Sequence, residues 1–573
     1  MSYRPRLTSD SNITFILILF VVACAVYLNT LHNGFVYDDE FVIVNNKWIR
    51  DLAYLPEIFS STLWGFKLGA DSNYYRPFVH LVLMAEYHLF GLSAWAYHLT
   101  NAVVHSANTV LVFLIALHLL GEKEYEPQGG RAPAPYGRAR LIALGAGLIF
   151  ASHPVHVEAV AWAAVVADLF LTLFYFLSLY LYIKHLHTAG GAERTALLLF
   201  SLLFFFIDVF LKETAVTLIA VLFVYDLTAG GGLRLNPGSI VRAVFRYIPY
   251  LLIVSFYILI RMHFLGGFVP LKQSAYLTAF QYFLNIPPLF AEYIRVLFYP
   301  AGLNAFYSFH PVLSIRDYDF LVLTPLLLFV PAVIFLLMTY NRTALFCIFF
   351  AVLTLSPALY IPGVGVRGNA FAERYLYMPS AGFSIVMSVF IYWVLMKVRA
   401  PGVLRHRGTV FLVIIAVITA AFSVQTIRRN RVWENNYTLW KDTAAKTKDS
   451  KVVYINLGAA AGAAGRRAEA IAAYNRAIEL APYSPEIYNN IGIEYLESGR
   501  LDDALAAFKK AYTLTSNLGY LAIIRKNMGD VYLSKGMVDA AIREYTGAVR
   551  VKPYDKAVRR RLEKARELKE GLR

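Results

Sequence analysis

From Ile13 to Ile427 the sequence is a succession of apolar runs separated by short polar breaks. Crossing a bilayer takes about 20 mostly apolar residues. Without water, each spanning segment must satisfy its own backbone polar groups, which favours helices. Runs at 12–31, 97–120, 140–160, 163–183, 196–211, 214–228, 244–265, 319–339, 343–361, 378–397 and 409–427 predict about 11 spanning helices. A further run at 281–300 carries Pro287, Pro288, Glu292 and Arg295, and reads better as an interfacial or outer helix. Past Ile427 no run is long enough to span.

Composition agrees. Only 16% of the 573 residues are charged and 58% are hydrophobic, against roughly 25% charged in soluble proteins. The net charge of +16 does not point to nucleic acid. Lys123, Arg131, Arg138, Arg140, Lys184, Arg194, Arg342 and Lys397 gather in alternate connections, as cytoplasmic loops require. That parity places 32–96, 266–318, 362–377 and the C-terminus on the outer face. Cys24 and Cys347 both lie in apolar runs, which excludes a disulfide framework. Arg4 and Arg6 before Ile13 resemble a signal peptide, but the apolar run continues past Cys24, so a retained first helix is expected.

After a linker at 428–450 the pattern changes to a repeat over 451–556. Gly458, Gly492 and Gly529 recur with an aromatic following each: Tyr474, Phe508 and Tyr545. Ala470, Ala504 and Ala541 keep the same register, as do Ala477, Ala511 and Ala548. Small residues at helix contacts with a period near 34 resemble the tetratricopeptide repeat. Three repeats and a polar capping helix at 557–573 are expected, each repeat burying its apolar face against its neighbour. Asn456, Asn490 and Asn527 share one repeat position. They form either an amide ladder for an extended peptide or a residue merely common there.

Several polar clusters interrupt the membrane region. Asp38, Asp39 and Glu40 follow the first span; adjacent carboxylates raise each other's pKa. Such a cluster suits a general base, a cation site or a solvated acidic loop. His153, His156 and Glu158 end the third run and read as metal ligands or as structural partners. Lys212 and Glu213 lie between two spans with Asp208 a turn earlier. They form a neutralising pair, or Lys212 meets an anion that Glu213 helps orient. Glu373, Arg374 and Tyr375 stand where an outer loop enters a span; Arg374 either clamps a phosphate or anchors at the headgroups.

Taken in order, Tyr37-Asp38-Asp39, Tyr75-Arg76-Pro77, His98 to Ser106, His153 to Ala159, Ala167-Asp168, Leu211-Lys212-Glu213 and Glu373 to Ser380 resemble the transmembrane and tetratricopeptide-repeat protein O-mannosyltransferases. The resemblance implies an all-α, GT-C type bundle followed by an α-solenoid. It also implies inverting transfer of a hexose from a polyprenyl-phosphate carrier to Ser or Thr of an exported protein. On that basis Asp38 and Asp39 are the catalytic candidates, and Arg76, Lys212 and Arg374 bind the donor phosphate. Glu40, His153, His156, Glu158, Asp168, Glu213, Glu373 and Tyr375 would line the site, and the three asparagines would hold acceptor peptide. No cofactor is required by the resemblance, though a divalent cation has room. The expected setting is a bacterial inner membrane, with site and repeats facing the periplasm. A glycan or lipid acceptor, or a non-catalytic scaffold, are the competing readings. Val166 departs from the eukaryotic pattern, which carries Arg there, and the repeats are fewer.

Overall fold

The computed structural model describes residues 10–67, 72–121, 137–229, 237–267, 277–318, 342–359, 370–400 and 406–571, with positions 320, 321, 324 and 402. Every regular element among them is helical. They form two compact units, Met1–Asn435 and Asn436–Arg573.

Among the described residues of the first unit, eight helices are long and apolar enough to cross a membrane, or nine counting a bent pair. The protein is therefore a multi-pass membrane protein. Of the 11 expected runs, two differ in form and a third lies almost wholly outside the described residues. The run at 140–160 is the bent pair, Arg138–Ser152 and Pro154–Ala161, turned by 47°. His153 precedes Pro154, and proline disfavours helical backbone in the residue before it; His153 is accordingly extended, with ψ 124°. The run at 214–228 yields only Thr217–Leu227, 11 residues, which reaches about 16 Å at 1.5 Å per residue in a core of about 30 Å. The run at 319–339 lies almost wholly outside the described residues. The 281–300 run forms Ala279–Phe298, which is not among the eight spans.

Small residues let these helices approach. A Cβ on Gly147 would lie 2.7 Å from the Leu19 side chain, so glycine permits contact that lipid alone would not drive.

The sequence His98 to Ser106 acts as polar glue for the broken segment beside it. Asn101 Nδ2 donates to the carbonyls of Val160 and Trp162 at 3.1 and 3.2 Å. His105 Nε2 bonds the Ala151 carbonyl at 3.1 Å, and Asn108 Nδ2 the Leu169 carbonyl at 3.0 Å. Non-helical backbone at membrane depth survives only where protein satisfies it.

The last spanning helix, Arg407–Asn430, ends beside the end of the first. Asn29 Nδ2 donates to the Ile427 carbonyl at 3.0 Å and Asn33 Nδ2 to the Asn430 carbonyl at 3.1 Å. Gly34 N–H donates to the Glu434 carbonyl at 2.9 Å. Both helices thus run in the same direction, and the chain leaves this unit on the face that holds the Asp38 loop.

The second unit holds three helix pairs: Lys451–Ala463 with Arg467–Leu480, Pro485–Glu497 with Leu501–Thr513, and Leu518–Ser534 with Val538–Val551. Helix Asn436–Lys446, inside the stretch expected as a linker, precedes them, and Lys556–Gly571 follows. The recurrent glycines have a direct cause. A Cβ at Gly458, Gly492 or Gly529 would stand 2.7, 2.7 or 2.5 Å from the ring of Tyr474, Phe508 or Tyr545. Each aromatic lies flat on its glycine, and that contact closes the helix pair.

Candidate functional site

The site begins at a strained residue. Tyr37 has φ +54°, the only non-glycine with positive φ among the described residues; for a bulky side chain this is an outlier. The conformation turns the loop sharply and sets the Tyr37 ring 5.1 Å from Trp162.

The three acidic residues that follow have three different fates. Asp39 is fully buried, its Oδ2 accepting from Val36 N–H at 2.8 Å and its Oδ1 from Ala164 N–H at 2.7 Å. It staples the loop to the short helix Ala163–Val165. Burial pushes its carboxyl up to about 7, although the two amides and Trp162 pull the other way. Glu40 is exposed and accepts from Asn45 Nδ2 at 3.3 Å. Asp38 is mostly buried; that raises its pKa, with Arg374 and then Lys67 drawing it back down. Its carbonyl accepts from Phe41 and Val42 N–H, but its carboxylate accepts no hydrogen bond from the described residues and is left for a ligand.

Beside Asp38 runs a chain of ion pairs built from distant segments. Arg374 pairs with Glu158 Oε1, and its own N–H donates to Glu158 Oε2 at 3.1 Å. The Arg374 side chain keeps 24% of its surface exposed against 2% for Glu158, so the cation is the face that a ligand reaches. Its guanidinium lies 5.5 Å from the Trp162 ring and 4.9 Å from the Tyr375 ring. Lys212, at the end of helix Gly191–Leu211, pairs with Asp168 in the first turn of Val166–His187 and stands 5.4 Å over the Tyr375 ring. Arg76, capping Pro77–Phe90, holds Glu213 with two bonds of 2.9 and 2.5 Å. Burial would raise the Glu213 carboxyl, but Arg76 overrides it and holds the group at about 2.

Three expected site residues are placed elsewhere. His153 and His156 are fully buried: His153 Nε2 bonds the Leu297 carbonyl at 3.0 Å and His156 Nε2 the Ser380 hydroxyl at 2.7 Å. They are core partners of the bent segment, while Glu158, one turn on, faces Arg374. Glu373 is also fully buried. Its carboxylate takes Arg429 at 3.0 and 3.1 Å, with Asn304 N–H and the Tyr307 hydroxyl at 2.6 Å each. Burial, outweighing Arg429, raises its pKa. Among the described residues no three His, Cys, Asp or Glu side chains converge as metal ligands. Glu158, Asp168 and Glu213 face cations and Asp39 faces amides.

In the repeats Asn456 and Asn490 are half-buried. Asn527 is 4% exposed, and its Nδ2 donates to Asn489 Oδ1 at 2.8 Å. The third rung of the supposed ladder is tied into the helix packing and is not presented.

The sequence marks neither Lys67, Trp162 nor Arg429 as a site residue. No periodicity marks them; a tryptophan within a helix break was the one available signal.

The tetratricopeptide repeat family model matches residues 449–517. A Caenorhabditis elegans protein O-mannosyl-transferase is 26% identical over 479 residues, covering 82% of this chain and 63% of that protein. Protein O-mannosyl-transferase TMTC2 of Homo sapiens is 36% identical over 214 residues, 37% of this chain and 24% of its own length. The homologues of this chain are protein O-mannosyl-transferases. The chain spans less than two thirds of the length of these relatives. Among solved structures, ArnT from Cupriavidus metallidurans in the apo state aligns over 90% of this chain and 80% of its own, at 14% identity and a TM-score of 0.41.

Proposed function

We propose that the protein is an inverting GT-C type glycosyltransferase that moves a hexose from a polyprenyl-phosphate carrier to Ser or Thr hydroxyls of exported proteins. The observation that carries this reading is the pairing of one uncommitted carboxylate, Asp38, with a cationic cluster of Arg374, Lys212 and Arg76, of which Arg374 is the most exposed. The names of the relatives as protein O-mannosyl-transferases support the same class of reaction.

In this mechanism Asp38 accepts the proton of the acceptor hydroxyl. The hydroxyl oxygen then bonds to the anomeric carbon from the face opposite the carrier. The bond from that carbon to the phosphate oxygen breaks, and its electron pair leaves with the lipid phosphate. Preorganised cations stabilise the charge that develops there, which is the role of Arg374, Lys212 and Arg76. Their acidic partners fix the cations before donor binds. A raised Asp38 pKa makes the carboxylate a stronger base than an exposed aspartate. Asp39 shapes the loop and is not the base. No step is routed through a metal.

Acceptor hydroxyls are modified on the side of the membrane where the chain emerges from its last span. In a bacterial inner membrane that side is the periplasm. Asn456 and Asn490 are the amides left to hold an extended acceptor.

Reconstitution with a polyprenyl-phosphate hexose and a Ser/Thr peptide, read by intact mass, tests the proposal. Asp38→Ala is expected to abolish the hexose adduct. Undiminished transfer by that variant would overturn it.

A further inference from the structure

The turn Glu373–Leu376 is gripped at two adjacent residues from opposite sides. Arg374 reaches Glu158, while Glu373 reaches back to Arg429 on the last spanning helix. Arg429 is 7% exposed and also donates to the Leu303 carbonyl at 2.6 Å. One turn further, Trp433 stacks on Trp162 with ring centroids 5.5 Å apart and an interplanar angle of 27°. Trp162 is the ring beside which the Arg374 guanidinium lies. A single helix exit therefore fixes both the backbone that carries Arg374 and the aromatic surface under its guanidinium.

We propose that Arg429 is a positioning residue for the donor phosphate, acting through Glu373 and Arg374. The proposal rests on the reading of Arg374 as a phosphate ligand. Arg429 Nη2 bonds both oxygens of Glu373 while Nη1 holds the Leu303 carbonyl, so the guanidinium is anchored at two of its nitrogens and holds the 373–374 backbone in one arrangement before the lipid phosphate arrives. A purely structural pair would behave differently. Replacing both members of a buried pair by neutral groups of similar size is often neutral for stability, so a structural role leaves little trace in such a variant.

The test is steady-state kinetics of the full chain in detergent or vesicles, with polyprenyl-phosphate hexose and a Ser/Thr peptide varied separately. Arg429→Met/Glu373→Gln is expected to fold, to raise the donor KM about tenfold and to leave the peptide KM unchanged. In an Arg374→Ala background the same pair of substitutions should add nothing further. Parental donor KM in the folded pair variant, or a loss that multiplies with that of Arg374→Ala, overturns the positioning role. Parental kinetics in Arg374→Ala itself would instead remove the phosphate-ligand reading beneath it. Should the pair variant fail to fold, Arg429→Lys keeps the charge but cannot hold Glu373 and the Leu303 carbonyl from two nitrogens, and the same outcomes decide.

Discussion

Asn430, at the end of the last spanning helix, donates through Nδ2 to the carbonyl of Val26 at the end of the first, 3.0 Å away and 404 residues distant in sequence. The same amide reaches Asn29 Oδ1 at 2.8 Å. This contact makes the two helices parallel whatever the number of spans between them. Single cysteines placed at the exposed positions Glu40 and Tyr483, with Cys24 and Cys347 replaced, should react with an impermeant thiol reagent from the same side. Cysteine at Ala189 should react from the other, because Val166–His187 starts beside Asp39 and runs 22 residues away from it. Labelling of 40 and 483 from opposite sides would contradict the parallel arrangement.

Asp38 and Asp39 should separate experimentally. Asp38→Ala should cost at least about 10²-fold in kcat with the thermal unfolding midpoint unchanged. Asp39→Ala leaves the amides of Val36 and Ala164 unpaired in a buried site, at about 1–3 kcal/mol. Its unfolding midpoint should fall, and its activity should fall with it through loss of the loop. Equal midpoints in the two variants would refute the division.

The pH profile of kcat/KM should carry the same signature. A base must be deprotonated to act, so activity rises with pH through the pKa of Asp38, which lies above the usual carboxylate range. Lys67 opposes that shift. Lys67→Ala removes a positive charge that favours the carboxylate, so the acid limb should move to higher pH. A displacement of roughly a few tenths of a unit is expected, since the exposed ammonium is screened. A limb that stays in place or moves to lower pH would exclude Asp38 as its origin.

In the repeats, Gly492→Ala should destabilise the unit by about 1–3 kcal/mol by driving a methyl into the Phe508 ring. Phe508→Leu in the same chain should recover part of the loss by making room. Thermal unfolding and proteolysis of the repeat unit report both.

Asn456→Ala together with Asn490→Ala should raise the peptide KM while leaving the donor KM unchanged. Asn527→Ala should act on stability instead, since its amide serves Asn489. Asn527→Ala altering peptide KM at constant stability would restore the third rung.

Membrane spans and repeats were legible because both are local. A run of apolar residues announces a span from its own composition, and a glycine followed sixteen residues later by an aromatic announces a helix pair from its own spacing. The places where the structure departs from the local reading are also physical: Pro154 bends one run by 47°, and the 214–228 run gives an α-helix of only 11 residues.

Sequence alone thus determined the all-helical membrane unit, the repeats and the short list of acidic and basic residues. Only the tertiary structure decided which of them remain available to a ligand. Asp38 and Asp39 are chemically identical neighbours; Asp39 is committed because Ala164, 125 residues away, turns its N–H toward it. Glu373 and Arg374 part in the same way, one drawn to Arg429 and the other to Glu158. Burial and partnership are set by segments remote in the chain, and a charge reveals its role only once its partner is in place.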